Sequence, residues 1–325
     1  MYDQAKITAV SEEIKANMLS GDSELRKTAS LAAGEYFRDE IRENGIRRQT
    51  TPPVEVTDAM LDYAEDTDFP IMYAELAPKS AGAMKVSFET GPSNEVIHGK
   101  KTRIEFNRIM TPKYGLDKER LLGYKMPLLD ILKDEILKDI MDVEDSCTMA
   151  VDKAITGTPA QPGVINGVRR AVTVGVLSDA TARPALAALK KGMFKSPGHL
   201  QPAKFLMNYS TFCDFSALSR EYVGGDMAQD MFINGTTLSQ LMGVDVVVTT
   251  KDDLIEDNQV FTYADPKYYG GFYIRKDVSL ITEERDDIWL NFFMHECVGF
   301  SVANVAGVCL AEFSGSKVDW KAAIA

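Results

Sequence analysis

One stretch of this chain repeats apolar residues at intervals of three and four for longer than a small core requires. Leu129, Leu132, Ile136, Ile140, Val143, Cys147, Ala150 and Ala154 span 25 residues in seven steps, about 3.6 per step, the period of an α-helix. The spacing predicts one amphipathic helix from about Pro127 to Thr156. Pro127 suits its first turn, where a missing N–H is no loss. Gly157, followed by Pro159 and Pro162, ends it. At 1.5 Å per residue, roughly thirty residues run about 45 Å. Such a helix suits a spine along which a flat, elongated subunit is built. Its apolar stripe is expected to face a sheet of its own chain. Its charged side (Lys133, Asp134, Lys138, Asp145, Asp152) is expected to meet solvent or neighbouring subunits.

The sequences on either side set the context for this spine. Residues 1–50 are charged and helix-prone, with a short helix through Ile7, Val10, Ile14 and Met18 and a second from Leu25 to Asn44, terminated at Gly45. Neither carries enough apolar surface for a core of its own, so both read as an arm that docks elsewhere. Thr51-Pro52-Pro53 breaks the pattern, and Asp66, Asp68 and Pro70 mark an irregular joint. From Tyr73 to Met110 the chain reads as a hairpin. Met84, Val86 and Phe88 alternate with polar residues, as do Ile104 and Phe106, and Gly91 to Lys101 forms a polar tip. A two-stranded ribbon is marginal alone in water, and becomes sensible lying on a neighbour.

The second half alternates between helix and strand. Ala180–Met193 and Tyr209–Leu218 read as helices. Ala203–Asn208, Val244–Thr249 (led in by Thr236–Leu241) and Phe261–Ala264 read as buried strands. Phe272–Ile274 and Val278–Thr282 read as strands paired with each other, Ile288–Cys297 as strand or helix, and Gly299–Val305 and Val308–Phe313 as strands. The fold class is α+β.

The chemistry expected of an enzyme is absent from the sequence. His98, His199 and His295 are the only histidines, and His295-Glu296 is not followed by a second histidine at helical spacing. Gly99-Lys100-Lys101-Thr102 lacks the earlier glycine of a phosphate-binding loop and does not open a helix. The acidic runs at 252–257 and 283–287 read as solvated faces or intersubunit ion pairs. Tyr263, Tyr268, Tyr269, Phe272 and Tyr273 read as core and interface aromatics. Cys147, Cys213, Cys297 and Cys309 form no CxxC pair and read as buried or half-buried reduced thiols. Catalytic, cofactor-binding and metal-binding residues are therefore expected to be none. A net charge of −12 argues against tight nucleic-acid binding. No apolar run reaches the 18 residues of a membrane span, and the polar opening Met1-Tyr2-Asp3-Gln4 has no secretory pattern.

This layout resembles the major capsid proteins of tailed bacteriophages, the Hong-Kong-97-type capsid fold. The resemblance is carried by the spine at Leu128–Thr156, by Pro202–Asn208 with its following helix, and by the C-terminal stretch. There Gly271-Phe272-Tyr273-Ile274 precedes Thr282-Glu283-Glu284-Arg285-Asp286 and the strands of Val302–Phe313. It implies an N-terminal arm at 1–53 and a peripheral (P) domain at 54–157, with an E-loop at about 73–110 and the spine at about 127–156. An axial (A) domain follows at 158–268, then a second P-domain part at 269–300 and A-domain C-terminal strands at 301–325.

It further implies a non-enzymatic subunit that assembles as hexamers and pentamers into an icosahedral virion shell. The shell would enclose packaged double-stranded DNA without reading its sequence, and would form in the host cytoplasm. Portal, scaffolding and decoration proteins are the implied partners, with no membrane and no cofactor. Some members of the fold weld subunits through a lysine–asparagine isopeptide bond assisted by a glutamate. Asn291 is the crosslink position the resemblance supplies, with Lys85, Lys100 and Lys101 as candidate lysines. Val298 stands where the glutamate is placed and argues against the bond, so non-covalent stapling by arm and E-loop is expected. An encapsulin-like protein compartment and a soluble α/β enzyme are the other readings.

Overall fold

The computed structural model describes residues 45–63, 65–67, 69–76, 99–117, 128–165, 167–196, 198–218, 240–285 and 289–316. The two expected arm helices before Gly45, the Met84–Phe88 strand, Gly91–Asn94, His98 and residues 236–239 lie outside them.

In chain order, a five-residue arm-root helix, Ile46–Thr50, is followed by β1 (Pro53–Glu55), β2 (Ile71–Leu76), β3 (Lys100–Met110) and β4 (Tyr114–Asp117). The spine helix occupies Leu128–Thr156, within a residue of the periodicity reading. Short strands β5 (Val164–Ile165), β6 (Val168–Arg169) and β7 (Ala171–Val174) lead to a helix at Asp179–Phe194 and to β8 (Pro202–Asn208). A helix at Tyr209–Ser216 precedes β9 (Gln240–Leu241), β10 (Val244–Thr249) and β11 (Gln259–Ala264). One helical turn, Pro266–Tyr269, then leads into β12 (Gly270–Arg285), β13 (Trp289–Val302) and β14 (Val308–Phe313).

These strands build two six-stranded sheets. The first runs β1-β12-β13-β3-β2, with β4 pairing farther along β13. Thr111 bridges the break between β3 and β4, its hydroxyl accepting from the Met294 N–H at 2.9 Å. The second sheet runs β7-β14-β11-β8-β10-β9, and β5 and β6 form a small separate hairpin. The chain passes from the spine into the second sheet, returns to the first at β12, and crosses back after β13 to finish with β14.

A hairpin base is present, but Ile104 stands opposite Met72 of β2 and not opposite the expected Met84–Phe88. β2 and β3 are antiparallel from Ile71↔Glu105 to Leu76↔Lys100. Lys100 and Lys101, expected at the polar tip, are instead paired strand residues. The segments Phe272–Ile274 and Val278–Thr282 do not pair with each other, and both belong to β12, which pairs with β13. The Arg275-Lys276-Asp277 stretch that separates them has none of the glycine, proline or asparagine a tight reversal needs. It forms register shifts between Ile274 and Ser279 instead. Of the ambiguous Ile288–Cys297, the described part Trp289–Cys297 is strand, within β13, as is the first half of the expected Gly299–Val305 strand.

The main core lies in and around the second sheet. β11 is buried along its whole length, because it sits between two neighbours with helices nearby. The Asp179–Phe194 helix turns Ala182, Ala185, Leu186, Leu189 and Met193 inward at helical spacing. Ser178 and Thr181 close its first turn as a reciprocal capping box. Gly157 ends the spine with φ of +67°, and a Cβ there would stand 2.3 Å from the Gln161 carbonyl oxygen, so only glycine fits.

Candidate functional site at a buried ionic joint

The spine departs from the sequence expectation in its C-terminal half. Ile136 and Ile140 are buried as predicted. Beyond them the buried face is Glu144, Asp145, Thr148, Met149, Asp152 and Thr156, while Val143 is 44% and Val151 40% exposed. Cys147, Ala150 and Ala154 are exposed too. Asp145 and Asp152, expected to meet solvent, are among the most buried residues of the chain. From Ile140 onward two stripes compete at the same period, one apolar and one polar, offset by about 100°. The polar stripe wins because cations and phenols from other elements answer it.

The arm-root helix supplies two of those cations. It has no side-chain cap of its own. Asp145 provides one, accepting the backbone N–H groups of Ile46 at 3.4 Å and Arg47 at 3.0 Å. Lys251 binds that same carboxylate at 2.7 Å and Asp142 at 3.0 Å. Lys204 donates to the Gln49 carbonyl at the other end of the short helix.

Arg47 reaches along the spine to Asp152 at 2.9 Å, with side chains 2% and 0% exposed. Its guanidinium lies 3.9 Å from the Phe300 ring centroid, 5.4 Å from Tyr269 and 5.8 Å from Tyr263. Three aromatic faces thus enclose one cation in a dry site, where such contacts are strongest. Asp152 also accepts the hydroxyls of Tyr263, at 2.8 Å, and Tyr269. Burial first, then the Asp152 charge, pushes both phenols upward, so they remain donors.

Arg48 points to the first sheet. Its Nε sits 3.1 Å from both Glu144 oxygens, its Nη2 3.0 Å from Glu296 Oε2, and its Nη1 3.6 Å from Asp277 Oδ1. Glu296 comes from β13 and Asp277 from β12, so this single side chain ties arm, spine and first sheet together. Burial works against its charge, but the surrounding carboxylates, Glu144 foremost, outweigh it and raise its pKa. Burial raises Glu144, against the pull of Arg48, and raises Glu296 well above the ordinary carboxylate range. A groove of about 380 Å³ runs beside the joint, between Arg103, Glu105 and Asn107 on β3 and Glu144, Thr148 and Val151 on the spine.

The remaining sequence candidates do not converge on this joint or on one another. His199 is exposed, bonded to the Phe194 carbonyl. His295 lies against Lys276 and Ser279; burial, then Lys276 and Arg108, lowers its pKa. Asp252 and Asp257 both accept from the Asn208 amide, tying a turn, and Glu283 pairs with Lys113 at 2.5 Å. The four cysteines are free. Cys309 is buried and Cys297 half-buried, but Cys147 and Cys213 are exposed, against expectation. Among the described residues no three histidine, cysteine or acidic side chains could together hold a metal ion. Asn291 is half-buried on β13 between Glu283 and Gly115, whose Cβ, if present, would stand 2.9 Å from its Oδ1. Val298 packs with Ile109, Phe272 and Ile274.

Sequence reasoning missed the joint. Its signal was present in the Arg47-Arg48 pair, bounded by Gly45 and Thr51-Pro52-Pro53, and in the acidic and threonine row at four-residue spacing on the spine.

No sequence family and no curated protein matches the chain. Solved structures do. The mature capsid of bacteriophage PhiM1 matches with a TM-score of 0.59 and 10% identity, over 85% of this chain and 88% of that one. The capsid of a native GTA particle matches at 0.57 and 14%, over 82% and 89%. The chain has the Hong-Kong-97-type capsid fold. A virus-like particle from Pyrococcus furiosus matches with a TM-score of 0.52 and 10% identity, over 85% of this chain and 98% of that one. Within this fold the spine at Leu128–Thr156 is the part the sequence resemblance anticipated.

Proposed function

We propose that the chain is the structural subunit of a self-assembling shell, the major capsid protein of a tailed-phage-like particle. The observation that carries this reading is the match of more than four fifths of the chain to nearly nine tenths of capsid subunits. The first sheet with the spine would serve as the P-domain and the second sheet as the A-domain, with hexamers and pentamers tiling an icosahedral shell. Portal and scaffolding partners, and assembly in a host cytoplasm, follow from the same reading. The net charge of −12 suits a wall from which packaged double-stranded DNA can slide. A tight, salt-dependent affinity of the isolated subunit for duplex DNA would contradict that part.

Sedimentation of the purified chain tests assembly. Megadalton particles are expected; a stable species of one or a few 35.9 kDa subunits opposes it. The second reading is a protein compartment built from the same subunit fold, which the likeness to a virus-like particle does not separate from a capsid. Nucleic acid inside the particles favours a capsid, and a protein cargo favours a compartment. Because Val298 cannot relay a proton, no isopeptide bond is proposed at Asn291. Mass spectrometry under denaturing, reducing conditions should find monomers only, and a ladder of covalent oligomers would restore Asn291 as a crosslink residue.

A further inference from the structure

Around Arg48 one guanidinium meets three carboxylates, those of Glu144, Asp277 and Glu296. Arg48, Glu144 and Glu296 are 3% exposed or less. Glu296 Oε1 finds no donor among the protein groups. Asp277 has a further interaction of its own, so the imbalance lies with Glu144 and Glu296, and the charged groups nearby are engaged elsewhere. Asp145, next along the spine, is taken by Lys251. Asp152 is taken by Arg47, and Arg103 across the groove is taken by Asp66 and Glu105. Glu144 and Glu296 thus share one guanidinium, and an excess buried negative charge is costly, so such a pair holds a proton rather than remain fully charged.

We infer that Glu144 and Glu296 share a proton, and that this proton is the latch holding the arm root in place. A proton on Glu296 Oε1 gives the orphaned oxygen a bond to make toward Glu144 and reduces the charge Arg48 must balance. The groove reaches Glu144, which gives water and protons access from one side. Opening the joint hydrates both carboxylates and removes burial, the main reason they hold the proton. The opened form therefore releases it at ordinary carboxylate pH. Rising pH then favours opening, and the arm root undocks from spine and first sheet together. The mechanism is a property of this joint and does not depend on whether the chain forms shells.

Amide hydrogen exchange of residues 46–51 in the full chain, expressed as protection factors corrected for intrinsic rates, tests this. Protection should fall as pH rises from 5 to 8.5, approaching about tenfold per pH unit where one proton is lost on opening. Glu296→Gln mimics the protonated carboxyl with the same shape, and should flatten the dependence while keeping protection high at pH 8.5. Glu312→Gln, a carboxylate on β14 away from the joint, should leave the wild-type slope unchanged. A flat wild-type profile, or an equal slope in Glu296→Gln, overturns the inference. If Glu296→Gln is unprotected throughout the chain, Glu144→Gln, the other carboxyl sharing the proton, takes its place: a flattened profile supports the inference and the wild-type slope overturns it.

Discussion

Arg47 and Arg48 are adjacent in sequence but sit in different chemical surroundings, which gives them different vulnerabilities. Arg47 has one carboxylate and three aromatic faces. Asp152→Ala would strand a buried guanidinium and remove the acceptor of two tyrosine hydroxyls. A loss of about 3–5 kcal/mol is expected in urea unfolding, the usual cost of breaking a buried pair from one side. Arg48 has an excess of carboxylates, so its site responds to pH. Glu296 and Glu144 are raised above their unfolded value of 4.5. A raised carboxyl contributes stability that is fully present below the unfolded pKa and is lost as pH rises through the folded one. Unfolding free energy should therefore decline above about pH 4.5 on account of this pair, and denaturant midpoints across pH should show a smaller decline in Glu296→Gln.

The spine shows how far a periodic pattern can be trusted. Its ends were legible because Pro127 and Gly157 punctuate it, and its first buried residues because only one stripe exists there. After Ile140 the pattern offered two faces, and hydrophobicity alone selected Val143, Cys147, Ala150 and Ala154. The structure buries the polar face because its partners come from 96 to 117 residues away, a separation no local period encodes. A pair of substitutions separates the two assignments. Ile140→Ala should cost about 2–5 kcal/mol in the unassembled chain, and Val143→Ala about 0.5 kcal/mol or less. Equal losses would restore the original stripe. At the spine's end, Gly157→Ala should destabilise by more than about 1 kcal/mol, since φ is +67° and the Gln161 carbonyl occupies the Cβ position.

For the whole molecule, the sheets divide the work. The second carries most of the apolar core, whereas the first leaves Val54, Met60, Tyr63, Phe69 and Tyr73 exposed around β1 and β2. A subunit with such an edge gains stability when neighbours cover it, at about 25 cal/mol per Å² of apolar surface. That is the physical sense of a shell tile. The spine and the strands β8, β10 and β14 were legible because turn residues and apolar patterning mark them, whereas the long β12 was read as two short strands. The ionic joint was not legible, because it is assembled from four distant segments. Cryo-electron microscopy of particles purified from cells expressing this chain tests the central claim most directly. Closed shells with fivefold and sixfold clusters of this subunit, spine and first sheet in contact with neighbours, are the predicted result. A monodisperse population of small compact particles would contradict it.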